Sequence, residues 1–261
     1  VSQKSLVLLD GYNLLHRGCA VPSVGGANYV IRNVLRFRRD FTHGAVVFDT
    51  ASSRDYRRNI LQRLKPLTDG EGYKALRDAK TPAFVGELKK ARTAVHKLGF
   101  TVVDADGVEA DDVLFGLARR AEAVNFNRVL VVTGDHDLYA AVSKVTSITD
   151  GKSEFNLGNF ALTYSFPPSR YADYLAFVGK HDQVPGVRGI GPATANVLLR
   201  DFYDLCGVLS ADDADIMNST SPAVVDLLRQ NVNTLWLGRA LARLHVPKNL
   251  PDVESLVIGS W

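Results

Sequence analysis

The sequence predicts an α/β core built on a parallel sheet, followed by a smaller helical lobe. Three observations lead there. Over residues 1–160, short apolar runs alternate with helical patterns, the signature of strands joined by helical crossovers. Each apolar run ends in or leads into carboxylates. Beyond about residue 159 the strand signals stop, and residues 161–261 read as helices and loops.

The expected strands are residues 6–9 (LVLL), 45–48 (AVVF), 101–103 (TVV) and 128–133 (RVLVVT); the helical patterns between them cover 28–39, 84–98 and 109–124. Residues 52–82 have weak periodicity, many Arg and Lys, and Gly70 and Gly72, and read as a long basic connection. In the second part, helices are expected over 171–178, 194–202, 223–228 and 235–244. A glycine-rich turn, PGVRGIGP over 185–192, lies between the first two.

Hydrophobic residues make up 46% of the 261, enough to bury a core in one large domain or a core plus a lobe. Nothing approaches the roughly 18 continuous apolar residues of a membrane span, and the opening VSQKSLVLLDGYNLL is not expected to be a signal peptide. Because the chain opens on Val1, its numbering is expected to begin after processing or trimming. Cys19 and Cys206 form neither a disulfide framework nor a zinc pattern, so a reducing cytoplasm is expected. The net charge of +3 hides an asymmetry. Residues 32–97 carry 16 Lys/Arg against 7 Asp/Glu, and residues 101–160 carry 5 against 10. A basic segment that attracts phosphate beside an acidic one that holds cations suits a metal-dependent nuclease; charged helices that merely solvate the surface fit the basic segment equally well.

The acids follow a rule. The first run ends in Asp10 and the second in Asp49; the third leads to Asp104, Glu109, Asp111 and Asp112, and the fourth to Asp135 and Asp137. In open α/β sheets ligands bind outside the carboxyl ends of the strands. Asp10, Asp49, Glu109, Asp111, Asp112, Asp135 and Asp137 are therefore expected at one edge, where such a cluster repels itself unless a cation neutralises it. Oxygen ligation points to Mg²⁺ or Mn²⁺, one ion or two, and His136 and His181 lack zinc spacing. Two such ions about 4 Å apart can activate water and stabilise the leaving oxygen of a phosphodiester. Each acid also has a bland reading, as a helix-dipole partner, a cap or a turn residue.

Gly186, Gly189 and Gly191, followed by Pro192 and a helix from Ala193, resemble a helix–hairpin–helix. Its backbone N–H groups form an anion site that grips phosphate without reading bases. Arg188 at the tip is either a phosphate contact or a solvated side chain. Tyr73, Lys74 and Arg77 offer a stacking face and two cations, or a short solvated helix with a packed tyrosine.

Taken together, LVLLDGYNLL at the start, VVFD ending at Asp49, YKALR at 73–77, VEADDV at 108–113, VVTGDHDL at 131–138 and VPGVRGIGPATA at 184–195 resemble the flap endonuclease and 5′–3′ exonuclease family. That family includes the nuclease domain of bacterial DNA polymerase I, short free-standing bacterial homologues and phage exonucleases. The resemblance covers nearly the whole chain. It implies a PIN-like parallel-sheet core (1–160) with a helical arch at about 52–82. It also implies a helix–three-turn–helix lobe (161–261) with its hairpin at 184–195. By the same resemblance, Asp10, Asp49, Glu109, Asp111 and Asp112 hold the first metal, with Asp135 nearby. Lys74 and Arg77 act on the scissile phosphate, and carbonyls near Val184, Val187 and Ile190 hold K⁺. Asp137 and Asp182 complete the candidate metal ligands. Many members carry two aspartates before the hairpin. Here Lys180 stands where an acid is expected, leaving Asp182 as the remaining candidate, and the segment from Asp49 to Lys74 is longer than in those relatives.

The expected activity is metal-dependent hydrolysis of DNA at 5′ ends, flaps or branched duplex, independent of sequence, in a bacterial cell or phage-infected host. Two alternatives are a branched-DNA-binding protein with weak or no cleavage, and a PIN-type ribonuclease.

Overall fold

A computed structural model describes residues 3–21, 23–64, 81–180 and 184–259. Within them the four expected apolar runs form strands β1 (Ser5–Asp10), β2 (His43–Asp49), β3 (Thr101–Ala105) and β4 (Arg128–Val132). Two strands not expected from the sequence, β5 (Thr146–Thr149) and β6 (Glu154–Phe155), extend the sheet. Both are short, and β5 (TSIT) is polar enough to hide from an apolar-run search, although its four residues are buried. The order is β3-β2-β1-β4-β5-β6, parallel throughout except for antiparallel β6.

Between the strands run α1 (Gly11–Cys19), α2 (Gly26–Phe37), α4 (Pro82–Lys97) and α5 (Ala110–Ala123). Strand side chains alternate between faces. Val7, Leu9, Val46, Phe48, Leu130 and Val132 join one buried cluster with Leu14 and Leu15 of α1, Val30 and Val34 of α2, and Ala91 and Val95 of α4. Helix α5 packs against β1, β2, β3 and β4, burying Leu114, Leu117, Ala118 and Ala121. α1 starts directly at the end of β1, with no intervening loop. Gly11 permits this, since a Cβ there would lie 2.4 Å from the Phe48 ring.

The chain forms two compact units. One comprises the described residues within 1–54, 78–157 and 245–261, the other those within 55–77 and 158–244. This division departs from the expected boundary at 160/161 in two places. The last residues rejoin the α/β unit: Gly44 N–H donates to Leu256 O (2.9 Å), Ile258 N–H to Thr42 O (3.1 Å) and Arg120 Nη1 to Leu250 O (2.8 Å). Part of the long basic connection, for which the resemblance implied a helical arch within the core, is helix α3 (Asp55–Leu64), and it belongs to the second unit. Its Arg57 is buried, 4% exposed, with Nε donating to Leu241 O (3.0 Å).

The second unit is helical as expected: α7 (Tyr171–Val178), α8 (Pro192–Phe202), α9 (Leu205–Ser210), α10 (Asp213–Ser219), α11 (Pro222–Gln230) and α12 (Val232–Ala242), after α6 (Leu157–Thr163) at the junction. Its core includes Phe160, Phe177, Leu198, Leu228 and Leu235. An ion pair joins Arg239 Nε to the buried Asp173 (2.6 Å). No helix among the described residues is long and apolar enough to cross a membrane.

Candidate metal centre

The strand order reverses beside β1: the chain steps one way to β2 and β3, then returns to place β4 on the other side. The carboxyl ends of β1 and β4 therefore flank a topological switch point, where open α/β sheets bind ligands. Asp10 ends β1, and Asp135 and Asp137 lie just beyond β4. A hydrogen bond ties the two ends: the buried Thr133 hydroxyl donates to Asp10 Oδ2 (2.9 Å). The other Asp10 oxygen accepts Asn13 N–H (2.9 Å) and so caps α1. Asn13 Oδ1 accepts Gly134 N–H (3.1 Å), and Thr133 Oγ1 accepts Asp135 N–H (3.1 Å). Asp135 Oδ1 accepts Asp137 N–H (3.0 Å) at the start of the 3-10 turn His136–Ala141.

One oxygen each of Asp111, Asp135 and Asp137 lie within 4.8 Å of one another, close enough to ligate one cation. Burial pushes the Asp111 carboxyl well above its ordinary range, and the charges of Asp135, Asp10, Asp137 and Glu109 add to it. Burial likewise pushes Asp10 up to about 7, helped by Asp49 and Asp135 and opposed by the Asn13 N–H and the Thr133 hydroxyl. Acids this close, with Asp10 buried and Asp111, Asp135 and Asp137 half-buried, favour a counter-cation, and the donor set of carboxylate oxygens fits a hard divalent ion. Asp49 flanks the group with Oδ1 accepting Ala110 N–H (2.9 Å), at the first residue of α5.

Two acids are placed differently. Asp112 is 0% exposed, and its oxygens accept Glu109 N–H (3.3 Å) and His245 N–H (2.8 Å). That carboxylate fastens the start of α5 to the returning C-terminal segment. Asp104 pairs bidentately with Arg92 (2.6 and 2.8 Å), which holds its carboxyl below the usual range. It is a surface ion pair and takes no part in the cluster. Sequence reasoning missed Thr133 and Asn13, which orient Asp10 and the loop after β4. Their signal was available: Thr133 precedes the GDHD turn, and Asn13 lies three residues after Asp10, where a capping side chain finds its N–H partner.

In the second unit the expected hairpin forms. Gly186 (φ +50°) and Gly189 (φ +100°) have left-handed backbones, and a Cβ on Gly186 would lie 2.4 Å from Gly179 N. Val187 N–H donates to Phe177 O (2.8 Å). The Val184 carbonyl accepts Lys180 N–H (2.9 Å), and the Val187 carbonyl accepts Ile190 N–H (3.0 Å). Arg188 is exposed at the tip, and Ala193 lies in the first turn of α8, which Gly191 precedes at the N-cap. Tyr73, Lys74, Arg77, His181 and Asp182 lie outside the described residues.

Comparison with known proteins agrees with this architecture. DNA polymerase I of Rhizobium leguminosarum is 29% identical over 280 residues, 97% of this chain and 26% of that protein. The chain thus spans about a quarter of the length of the curated relative. Among solved structures, the T5 D15 protein co-crystallised with metal ions superposes with a TM-score of 0.70 at 20% identity, covering 92% of this chain and 89% of that one. The bacteriophage T5 D15 flap endonuclease, in a pseudo-enzyme–product complex with DNA and metal ions, gives a TM-score of 0.64 at 21% identity, covering 91% and 89%. At these identities the likeness establishes the fold, a PIN-like sheet core with a helical lobe. The family description "5′-3′ exonuclease, N-terminal resolvase-like domain" matches residues 5–164, and "5′-3′ exonuclease, C-terminal SAM fold" matches 166–260. With both halves matched in order, and the acids of the first half gathered at the switch point, the chain belongs to the 5′–3′ exonuclease family.

Proposed function

We propose that this chain is a structure-specific 5′ nuclease that hydrolyses DNA phosphodiesters as a 5′–3′ exonuclease, a 5′-flap endonuclease, or both. The observation that carries this reading is the convergence of Asp111, Asp135 and Asp137 within 4.8 Å, beside Asp10 and at the switch point. The cation that fits is Mg²⁺ or Mn²⁺, one ion or two. When bound, it supplies a Lewis acid for the phosphodiester and an activated water. The protein's part is to fix the donors. Thr133 and Asn13 aim Asp10, the Ala110 N–H aims Asp49, and the 3-10 turn sets Asp135 against Asp137. Lys74 and Arg77 neutralise charge that develops on the phosphate. The hairpin grips duplex backbone through N–H groups at the start of α8, with Arg188 as a phosphate contact and Tyr73 as a stacking face for a base. Carbonyls of Val184, Val187 and Ile190 hold K⁺ there. Recognition follows the shape of 5′ ends and flaps more than sequence, within a bacterial or phage-infected cytoplasm.

The test is cleavage of a 5′-flap DNA labelled at either end, in Mg²⁺, Mn²⁺ and EDTA, with Asp111→Asn alongside. Metal-dependent products from the 5′ side, lost in Asp111→Asn, support the reading, and their lengths separate flap cutting from stepwise digestion. Binding without products in any metal selects a branched-DNA-binding protein instead. Faster cleavage of single-stranded RNA selects a ribonuclease.

A further inference from the structure

The turn that carries Asp135 and Asp137 also carries an aromatic ladder. His136 stacks on Tyr139 (ring centroids 4.8 Å apart, 17° between planes), and Tyr139 stacks on Phe155 of β6 (4.2 Å, 11°). Tyr139 and Phe155 are half-buried, and His136, the end ring, is exposed. A stack that served only to pin β6 to the turn would be complete with Tyr139 and Phe155. The third ring adds a flat π face turned to solvent between two metal-ligand carboxylates, one peptide from each. The face is also preorganised: Tyr139 supports it from below, and the Asp135–Asp137 hydrogen bond fixes the turn that bears it.

We infer that the outer face of His136 is a stacking site for a nucleobase of the DNA strand that the centre cuts. The inference rests on the nuclease reading above. A phosphodiester held by cations at Asp111, Asp135 and Asp137 brings its own flanking bases beside this turn. The neighbouring carboxylates disfavour an acidic side chain or a free phosphate on His136, whereas a base offers an uncharged π face of any sequence. His136 is thus a positioning residue: it sets the nucleotide next to the scissile bond and leaves the chemistry to the carboxylates.

The experiment uses the full chain and a 5′-flap DNA with 2-aminopurine at each of the two nucleotides that flank the cleaved bond. Fluorescence is read at saturating protein, with Ca²⁺ replacing Mg²⁺. In the wild type one of the two positions is quenched by stacking. His136→Phe keeps the quench. His136→Ala loses it and lowers kcat/KM in Mg²⁺ roughly tenfold, within the range for one base–aromatic stack. Equal quenching in wild type and His136→Ala overturns the inference alone, as does a His136→Phe protein that behaves like His136→Ala. Failure of the wild type to cut this flap in Mg²⁺ overturns the nuclease reading and the inference together.

Discussion

Asp10→Asn is expected to stabilise the metal-free protein while removing much of its response to metal. Asp10 is 5% exposed, and its carboxyl is pushed up to about 7 from an ordinary value of 3.8, first by burial and then by Asp49 and Asp135. A shift of about three units corresponds to about 4 kcal/mol between the two protonation states. Because the folded value is raised, the stability linked to this group is fully present below about pH 4 and is lost as pH rises through about 7. The wild type in EDTA therefore weakens across that window, and Asp10→Asn weakens less, the remainder coming from Asp111, whose carboxyl is also raised by burial. The amide keeps the geometry: its oxygen accepts the Asn13 N–H, and its NH₂ group can donate to Thr133 Oγ1. At about pH 8 in EDTA the variant should unfold roughly 8–16 °C above the wild type, taking roughly 2–4 °C per kcal/mol for a chain of this size. Near pH 4 the two should converge. Excess Mg²⁺ should raise the wild-type Tm at pH 8 and move the variant much less, since bound cations stabilise only the state that holds them. Thermal melts monitored by circular dichroism give all these numbers. A variant no more stable than wild type in EDTA at pH 8 would refute the reasoning, because it would mean that Asp10 is not held at a cost.

Asp112→Asn should have the opposite sign. Glu109 N–H and His245 N–H bond to different oxygens of Asp112, so whichever oxygen becomes NH₂ leaves a buried donor facing it. A loss of roughly 1–3 kcal/mol is expected in urea titrations with or without metal. In the hairpin, Gly186→Ala places a Cβ 2.4 Å from Gly179 N on a backbone with φ +50°, and should cost roughly 1–3 kcal/mol of strain, read as a lower Tm. Gly191→Ala, whose Cβ meets nothing within 4 Å, should leave the Tm unchanged and weaken DNA binding in a fluorescence-anisotropy titration if DNA phosphate approaches that backbone.

The sheet was legible because β1 to β4 are apolar and followed by acids, two signals that reinforce each other. β5 escaped because Thr146, Ser147 and Thr149 look like surface residues, yet they are buried beside polar partners: Thr146 and Ser143 donate to Glu122 (2.6 Å each), and Ser147 donates to Glu154 (2.5 Å). A strand that meets its burial cost by side-chain hydrogen bonds carries no apolar run. α3 escaped for a related reason. DYRRNILQRL has five polar or charged residues in its first eight, and its Arg57 reaches the Leu241 carbonyl, a long-range partner that periodicity does not encode.

The seven acids show the same division. Charge and placement after strands single all seven out as candidates, but those signals do not separate a carboxylate left among other carboxylates from one held by backbone donors. Asp111 and Asp112 are adjacent in sequence and begin the same helix, so neighbouring positions on α5 point about 100° apart around its axis. That angle sends Asp111 to Asp135 and Asp137, where burial first, and then the charges of the neighbouring carboxylates, raise its pKa. It sends Asp112 to Glu109 N–H and His245 N–H, two donors that hold a carboxylate without any cation. The second donor comes from residue 245, more than a hundred positions downstream, in a segment whose return to the first unit has no local sequence signature. The different surroundings of these two aspartates are therefore set by the path of the C-terminal segment, and a carboxylate held by donors, as in Asp112, should lose stability as an amide where one crowded by other acids, as in Asp10, should gain it when metal is withheld.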